Sequence, residues 1–301
     1  MSARGDGGLH LQKHYGQGSF AELLMVPTEN AFPMGAIDPA EAGRWNALSV
    51  CLVPYGRLLA ADLRAGETVL VSGATGNVGS AGVAVALAMG AGCVVAPGRN
   101  QDMLTELEDR FGSRLRVVPL SGDENENENE DHDRMKQAAP GPIDVVLDLL
   151  PPSAWTTPVR AAAMTVREYG RVVLMGGVGM LGGEDLALPY PWIMRNSITV
   201  RGQWMYRPQA NTRLIELARF RLLDLHHFDV TEFALDIANK AIEHATDSNG
   251  PEARYRIAPS CFLRPHHGGH GLGLLAQSAR RHRDPAILAR ITREHWGVET
   301  L

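Results

Sequence analysis

Through its middle the chain alternates short apolar runs with longer stretches in which apolar residues recur at helical spacing. Thr68–Ser72 (TVLVS), Cys93–Ala96 (CVVA), Leu115–Leu120, Ile143–Leu147, Arg171–Met175 (RVVLM) and Ser197–Val200 read as strands, being β-branched and bounded by Gly, Pro and polar clusters. Val78–Met89, Asp102–Arg110 and an Ala-rich run from about Ser153 to Tyr169, stopped by Gly170, read as helices between them. Largely apolar strands in alternation with helices predict an α/β architecture, a doubly wound parallel sheet covered on both faces.

The flanks follow other patterns. Residues 1–18 are polar and Gly-rich, the expected signature of a loose start, and Phe20–Pro27 reads as a strand closed by proline. Pro39–Ala60 promises helical pieces interrupted at Pro54-Tyr55-Gly56. Beyond Gly202, a helix is expected from Pro208 through Leu223. A short extended piece at Val230–Leu235 and a helix from about Asp236 to Ala245 should follow, with a closing strand at Tyr255–Pro259. Asp123–Asp133 (DENENENEDHD) carries carboxylates with no Lys or Arg and reads as a solvated, disordered loop; it lacks the ligand order of a calcium loop. From Cys261 onward Arg and His dominate, His266, His267 and His270 among them, as in a floppy basic appendage.

The segment with chemistry in it is Gly73-Ala74-Thr75-Gly76-Asn77-Val78-Gly79, directly after one strand and opening a helix. Gly73 permits the tight turn, Gly76 leaves room for a pyrophosphate at the backbone, and Gly79 lets helix and strand pack closely. The helix start then offers N–H groups and a partial positive charge to the phosphates. No Lys-Ser/Thr pair follows, which excludes a Walker A loop. About 20 residues past the glycines, where an acid would bind a ribose 2′-hydroxyl, stands Arg99 in Pro97-Gly98-Arg99-Asn100. A guanidinium there suits a 2′-phosphate, so NADP is expected in preference to NAD. The nicotinamide half should meet the ends of later strands, at Leu149 within Asp148-Leu149-Leu150 and at Gly176-Gly177.

These motifs resemble the medium-chain dehydrogenase/reductase superfamily, the group of zinc-type alcohol dehydrogenases and quinone oxidoreductases. GETVLVSGATGNVGSAGVAVALAMGA (Gly66–Ala91) is similar to its cofactor-binding core, as are VVAPGRN (Val94–Asn100), IDVVLDLLPP (Ile143–Pro152), GRVVLMGG (Gly170–Gly177) and LPYPWIMRNSITVRGQW (Leu188–Trp204). GSFAELLMVP (Gly18–Pro27) resembles the end of its GroES-like catalytic domain, and FDVTEFALDIANKAIEHA (Phe228–Ala245) its returning C-terminal helix. The resemblance implies a Rossmann NAD(P)-binding domain over 50–203 and an incomplete, GroES-like β-rich catalytic domain. Of that domain, 1–49 would be a remnant and 204–259 the C-terminal return, with 260–301 an atypical basic tail. Met1 begins well after the family's first zinc ligands, and Cys51 stands out of register with the third, so no zinc is expected at this site. An incomplete or altered gene product with an intact cofactor domain is the resulting expectation.

By the same likeness the function expected is an NADP(H)-dependent oxidoreductase, moving hydride to or from a carbonyl, alcohol, quinone or enone. A catalytically inactive dinucleotide-binding protein is the alternative. Tyr55 is the one candidate proton donor near the domain junction. The implied partner is a small-molecule substrate, and the edge strand around Ser197–Val200 is where two copies would pair in a homodimer.

Composition narrows the partners further. A formal charge of −5, with 29 Lys+Arg against 34 Asp+Glu, gives no chain-wide basic field, so no nucleic acid is expected. Thr68–Gly98 holds no charge and could pass for a membrane span, yet glycines break it into strand, turn, helix and strand; no membrane partner is expected. Three scattered cysteines and the absence of an apolar segment behind a basic start point to a reducing, cytoplasmic setting.

Overall fold

The computed structural model describes residues 5–15, 25–121, 128–247 and 260–264. They divide into a larger unit, 50–227, and a smaller one drawn from 5–15, 25–49, 228–247 and 260–264. The chain opens with helices α1 (Gly5–Tyr15), α2 (Ala42–Trp45) and α3 (Leu48–Ala60), the last leading into the larger unit.

There a parallel sheet forms from β1 (Thr68–Ser72), β2 (Cys93–Gly98), β3 (Leu115–Pro119), β4 (Ile143–Asp148), β5 (Val166–Leu174) and β6 (Thr199–Gly202). Its order is β3-β2-β1-β4-β5-β6. Helices α4 (Asn77–Ala88), α5 (Gln101–Phe111), α6 (Glu128–Ala138), α7 (Thr156–Ala163), α8 (Tyr190–Arg195) and α9 (Gln209–Arg219) connect or follow these strands. This is the Rossmann-type α/β fold that the alternation of apolar runs predicts.

The core explains why those runs are unbroken. Leu70, Val95, Val146 and Val172 face one side of the sheet, where Met135 of α6 and Ala161 and Ala162 of α7 cover them. Their neighbours Val69, Val71, Val94, Val145, Leu147 and Val173 are buried just as deeply on the opposite side. A strand buried on both faces has no polar alternation to show.

In the smaller unit, β7 (Val230–Ala234) pairs in parallel with β8 (Ser260–Arg264), with α10 (Ala238–Asp247) between them in the chain. The rings of Phe233 on β7 and His244 on α10 meet at a tilt, with centroids 5.5 Å apart. Among the described residues, no helix is long and apolar enough to cross a membrane.

Several expectations need correcting. The Ala-rich helix ends at Ala163, and Val166–Tyr169 belongs to β5. The cause is an irregularity in pairing: Ile143 faces Val166, but Val145 already faces Arg171. The extra β5 residues bulge out with Tyr169 at φ 58, its N–H donating to the Asn196 carbonyl at 2.8 Å. The acidic run is not a loop throughout, since Glu128–Asp133 forms the start of α6. Carboxylates suit a helix's positive end, and Glu130 pairs with Arg134 one turn on.

Residues 5–15 are helical rather than loose, and α3 passes through Pro54 without interruption. The helix after β6 ends at Arg219, short of Leu223, and β6 itself begins at Thr199. Ser260–Arg264, expected in the tail, is strand. Most of the expected strand at Phe20–Pro27, the expected strand at Tyr255–Pro259 and the tail histidines lie outside the described residues.

Candidate functional site

The strand order reverses between β1 and β4, and such a switch point opens a crevice beyond the strands' carboxyl ends. Three segments meet there: Gly73–Gly79 after β1, Leu149–Pro152 after β4, and Gly176-Gly177 after β5.

The first is a turn shaped by what its glycines lack. Gly73 leaves β1 at φ 83, a left-handed conformation costly for any other residue, and a Cβ on it would lie 3.0 Å from the Leu149 carbonyl oxygen. The Gly76 N–H donates to the Gly73 carbonyl at 3.0 Å, closing the turn. Gly76 is the extended N-cap of α4 and places no side chain over the helix start. A Cβ on Gly79 would stand 2.5 Å from the Gly73 carbonyl carbon and 2.8 Å from the Ala74 Cα, so the helix can approach the turn only as glycine. At Gly76 a Cβ would meet nothing closer than 3.4 Å. The N–H groups of Asn77, Val78 and Gly79 therefore open α4 at its positive end, beside an uncrowded backbone.

Thr75 reaches across to β2, its methyl 2.5 Å from where a Cβ on Gly98 would stand. Arg99 follows at the exposed end of that strand. Asn100 has a structural task as N-cap of α5, where its Oδ1 accepts the Met103 N–H at 3.1 Å.

On the other side of the switch point, the Leu149 N–H donates to the Ser72 carbonyl at 3.1 Å and the Gly177 N–H to the Leu150 carbonyl at 2.9 Å. Asp148 ties these turns together. Its carboxylate accepts the Leu150 and Gly176 N–H groups, both at 3.2 Å, from a site only 4% exposed. Burial pushes its pKa up to about 6, against the lowering pull of those two amides. Sequence reasoning placed Asp148 beside the site without giving it a role. The signal was an acid ending an otherwise apolar strand, IDVVLD.

Tyr55 is set differently. It is buried on α3, where burial raises its pKa and the charges of Arg213 and Glu216 on α9 act in opposite directions. Two residues further along α3, Arg57 is wholly buried, donating from Nη1 to the Val53 and Met205 carbonyls at 2.6 Å each. Its Nε and Nη2 have no hydrogen-bond partner, and burial lowers its pKa to about 10. Arg57, unlike Tyr55, was not separable by sequence from ordinary helix positions.

No three His, Cys, Asp or Glu side chains among the described residues stand close enough to share a metal ion. Cys51 is fully buried on α3, and burial raises the pKa of its thiol.

Residues 77–219 match the family model described as zinc-binding dehydrogenase. No curated protein matches the chain. Among solved structures, a cobalt- and zinc-bound thermostable alcohol dehydrogenase from Pyrobaculum aerophilum is 25% identical, with a TM-score of 0.56, over 79% of this chain and 62% of its own. L-idonate 5-dehydrogenase from Escherichia coli (17% identity, TM-score 0.57) is matched over 79% of this chain and 62% of its own. 2R,3R-butanediol dehydrogenase from Bacillus subtilis (17%, 0.57) shares the fold over 79% and 60%. The chain thus spans less than two thirds of the length of each of these proteins.

Proposed function

The chain belongs to the medium-chain dehydrogenase/reductase superfamily, and on that premise we propose that it is an NADP(H)-dependent oxidoreductase working without catalytic zinc. Its substrate would be a small carbonyl, alcohol, quinone or enone. The observation that carries this reading is the pairing of an open, glycine-built helix start at the switch point with Arg99 at the exposed end of β2. In this reading the backbone of Gly73, Thr75, Gly76, Asn77, Val78 and Gly79 holds the pyrophosphate. Arg99, with the Asn100 amide beside it, holds the 2′-phosphate. Leu149, Gly176 and Gly177 present backbone groups to the carboxamide.

Bound nicotinamide supplies a hydride acceptor or donor at its ring carbon; the chain's own work is to orient that ring and keep water from it. We assign residues 50–203 to the cofactor domain and 1–49 with 204–259 to a catalytic domain. The homodimer through β6 and the cytoplasmic setting stand as parts of the same proposal.

Titration with NADPH and NADH tests it. The parent should prefer NADPH, and Arg99→Asp should cut that preference at least about tenfold, since it replaces a charge-assisted contact with repulsion. A parent that prefers NADH would overturn the cofactor assignment. The burial of Tyr55 against α9 favours a second reading, a dinucleotide-binding protein that turns nothing over. Turnover of any member of a panel of quinones, enones, aldehydes and alcohols eliminates it.

A further inference from the structure

The nicotinamide half of a dinucleotide changes charge when it reacts: the oxidised ring is a cation, the reduced ring is neutral. At the carboxyl end of β4, where the second half of a doubly wound sheet receives that ring, the structure keeps one buried acid, Asp148. The residues aligned with it in the sheet are Ser72 on β1 and Leu174 on β5, neither of them charged. The only groups opposing its burial are the Leu150 and Gly176 amides, and among the described residues no charged or titratable side chain acts on it. Among the described residues the carboxylate is therefore hydrogen-bonded but has no counter-ion. Gly176 keeps this arrangement tight, for a Cβ there would stand 2.5 Å from Asp148 Oδ2.

We infer that Asp148 is a specificity-determining residue for the oxidation state of the cofactor, its carboxylate acting as counter-charge to the oxidised ring and giving nothing to the reduced one. This rests on the dinucleotide reading above and adds to it a direction: the site favours the oxidised form when Asp148 is ionised. The neighbouring medium is poorly screening, so a single charge is felt across the crevice floor. Because the group titrates near pH 6 in the free protein, the bias depends on pH. A cation nearby lowers the pKa of a carboxylate, so the oxidised form binds with release of the proton and is favoured above pH 6. Below that pH the proton must be displaced and the advantage falls. The 2′-phosphate also titrates in this range, but it is common to both forms and cancels in their ratio.

The experiment measures dissociation constants for NADP+ and NADPH between pH 5 and 8 on the full chain, and follows their ratio. A pKa displaced from about 6 to about 5 in the complex is worth tenfold only well below both values, so the relative affinity for NADP+ should fall about fivefold from pH 7.5 to pH 5. Asp148→Asn should bind both forms and show a ratio that no longer varies with pH. A ratio in the parent that is flat across this range overturns the inference without any variant being needed, and leaves the dinucleotide reading intact. A slope that persists in Asp148→Asn overturns it as well. Failure of the parent to bind either form at any pH overturns both readings together.

Discussion

Gly79 faces the carbonyl of Gly73 across a gap that no side chain can enter. The turn that shapes the crevice and the contact that fixes α4 on β1 are thus one feature, and a substitution there strikes both. Gly79→Ala should destabilise the larger unit by about 1–3 kcal/mol, the usual cost of overpacking a site whose neighbour is backbone. Thermal unfolding would show this as a lower Tm, with loss of NADPH affinity in the same protein.

Asn100 separates folding from binding. With its Oδ1 on the Met103 N–H, Asn100→Ala should cost about 1 kcal/mol through the lost cap, whereas Asn100→Asp keeps an acceptor and most of the stability. Denaturant titration of the two variants checks the difference. In a 2′-phosphate site the order reverses, because the new carboxylate of Asn100→Asp should weaken NADPH binding more than alanine does.

Asp148 makes stability itself depend on pH. Its carboxyl sits near 6 in the fold against an ordinary value of 3.8. A raised acid stabilises the fold most below its unfolded pKa, and that contribution is lost as pH rises through the folded one. The window therefore runs from about pH 4 to pH 7, and the change is on the order of 3 kcal/mol. Asp148→Asn removes the titration, so the variant should gain on the parent steadily across that window in urea unfolding at fixed ionic strength.

Arg57 is a buried cation with two nitrogens, Nε and Nη2, left without hydrogen-bond partners. Arg57→Met keeps comparable bulk, gives up the bonds to Val53 and Met205, and relieves the unmatched donors. The expected result is an unfolding free energy within about 1 kcal/mol of the parent. Arg57→Glu buries an uncompensated charge among carbonyls and should cost more than about 3 kcal/mol.

The sheet could be read from sequence because β1, β2 and β4 are buried on both faces, so their composition is dictated by the interior alone. The glycine turn was legible for a related reason: only glycine survives at Gly73 and Gly79, and the restriction shows as spacing. What escaped was decided by contacts distant in the chain. Val166–Tyr169 looks like the end of an Ala-rich helix until β4 claims Val166 as a partner. The acid run from Glu128 looks solvated until α6 is anchored by Met135 in the core and by Arg160, which pairs with Glu128. Asp148 shows only an acid at a strand's end; its two amide donors come from turns that the sheet must first bring together.

A grip assembled from the main chain of Gly73–Gly79 contains no ionisable group. From the protein's side, the hold on a pyrophosphate there would be the same in acid and in alkali. In the proposed reading, responsiveness to the surroundings enters through the two ends of the site, assigned to Arg99 and Asp148. The middle of the site is a constant, and its ends are where it can be tuned.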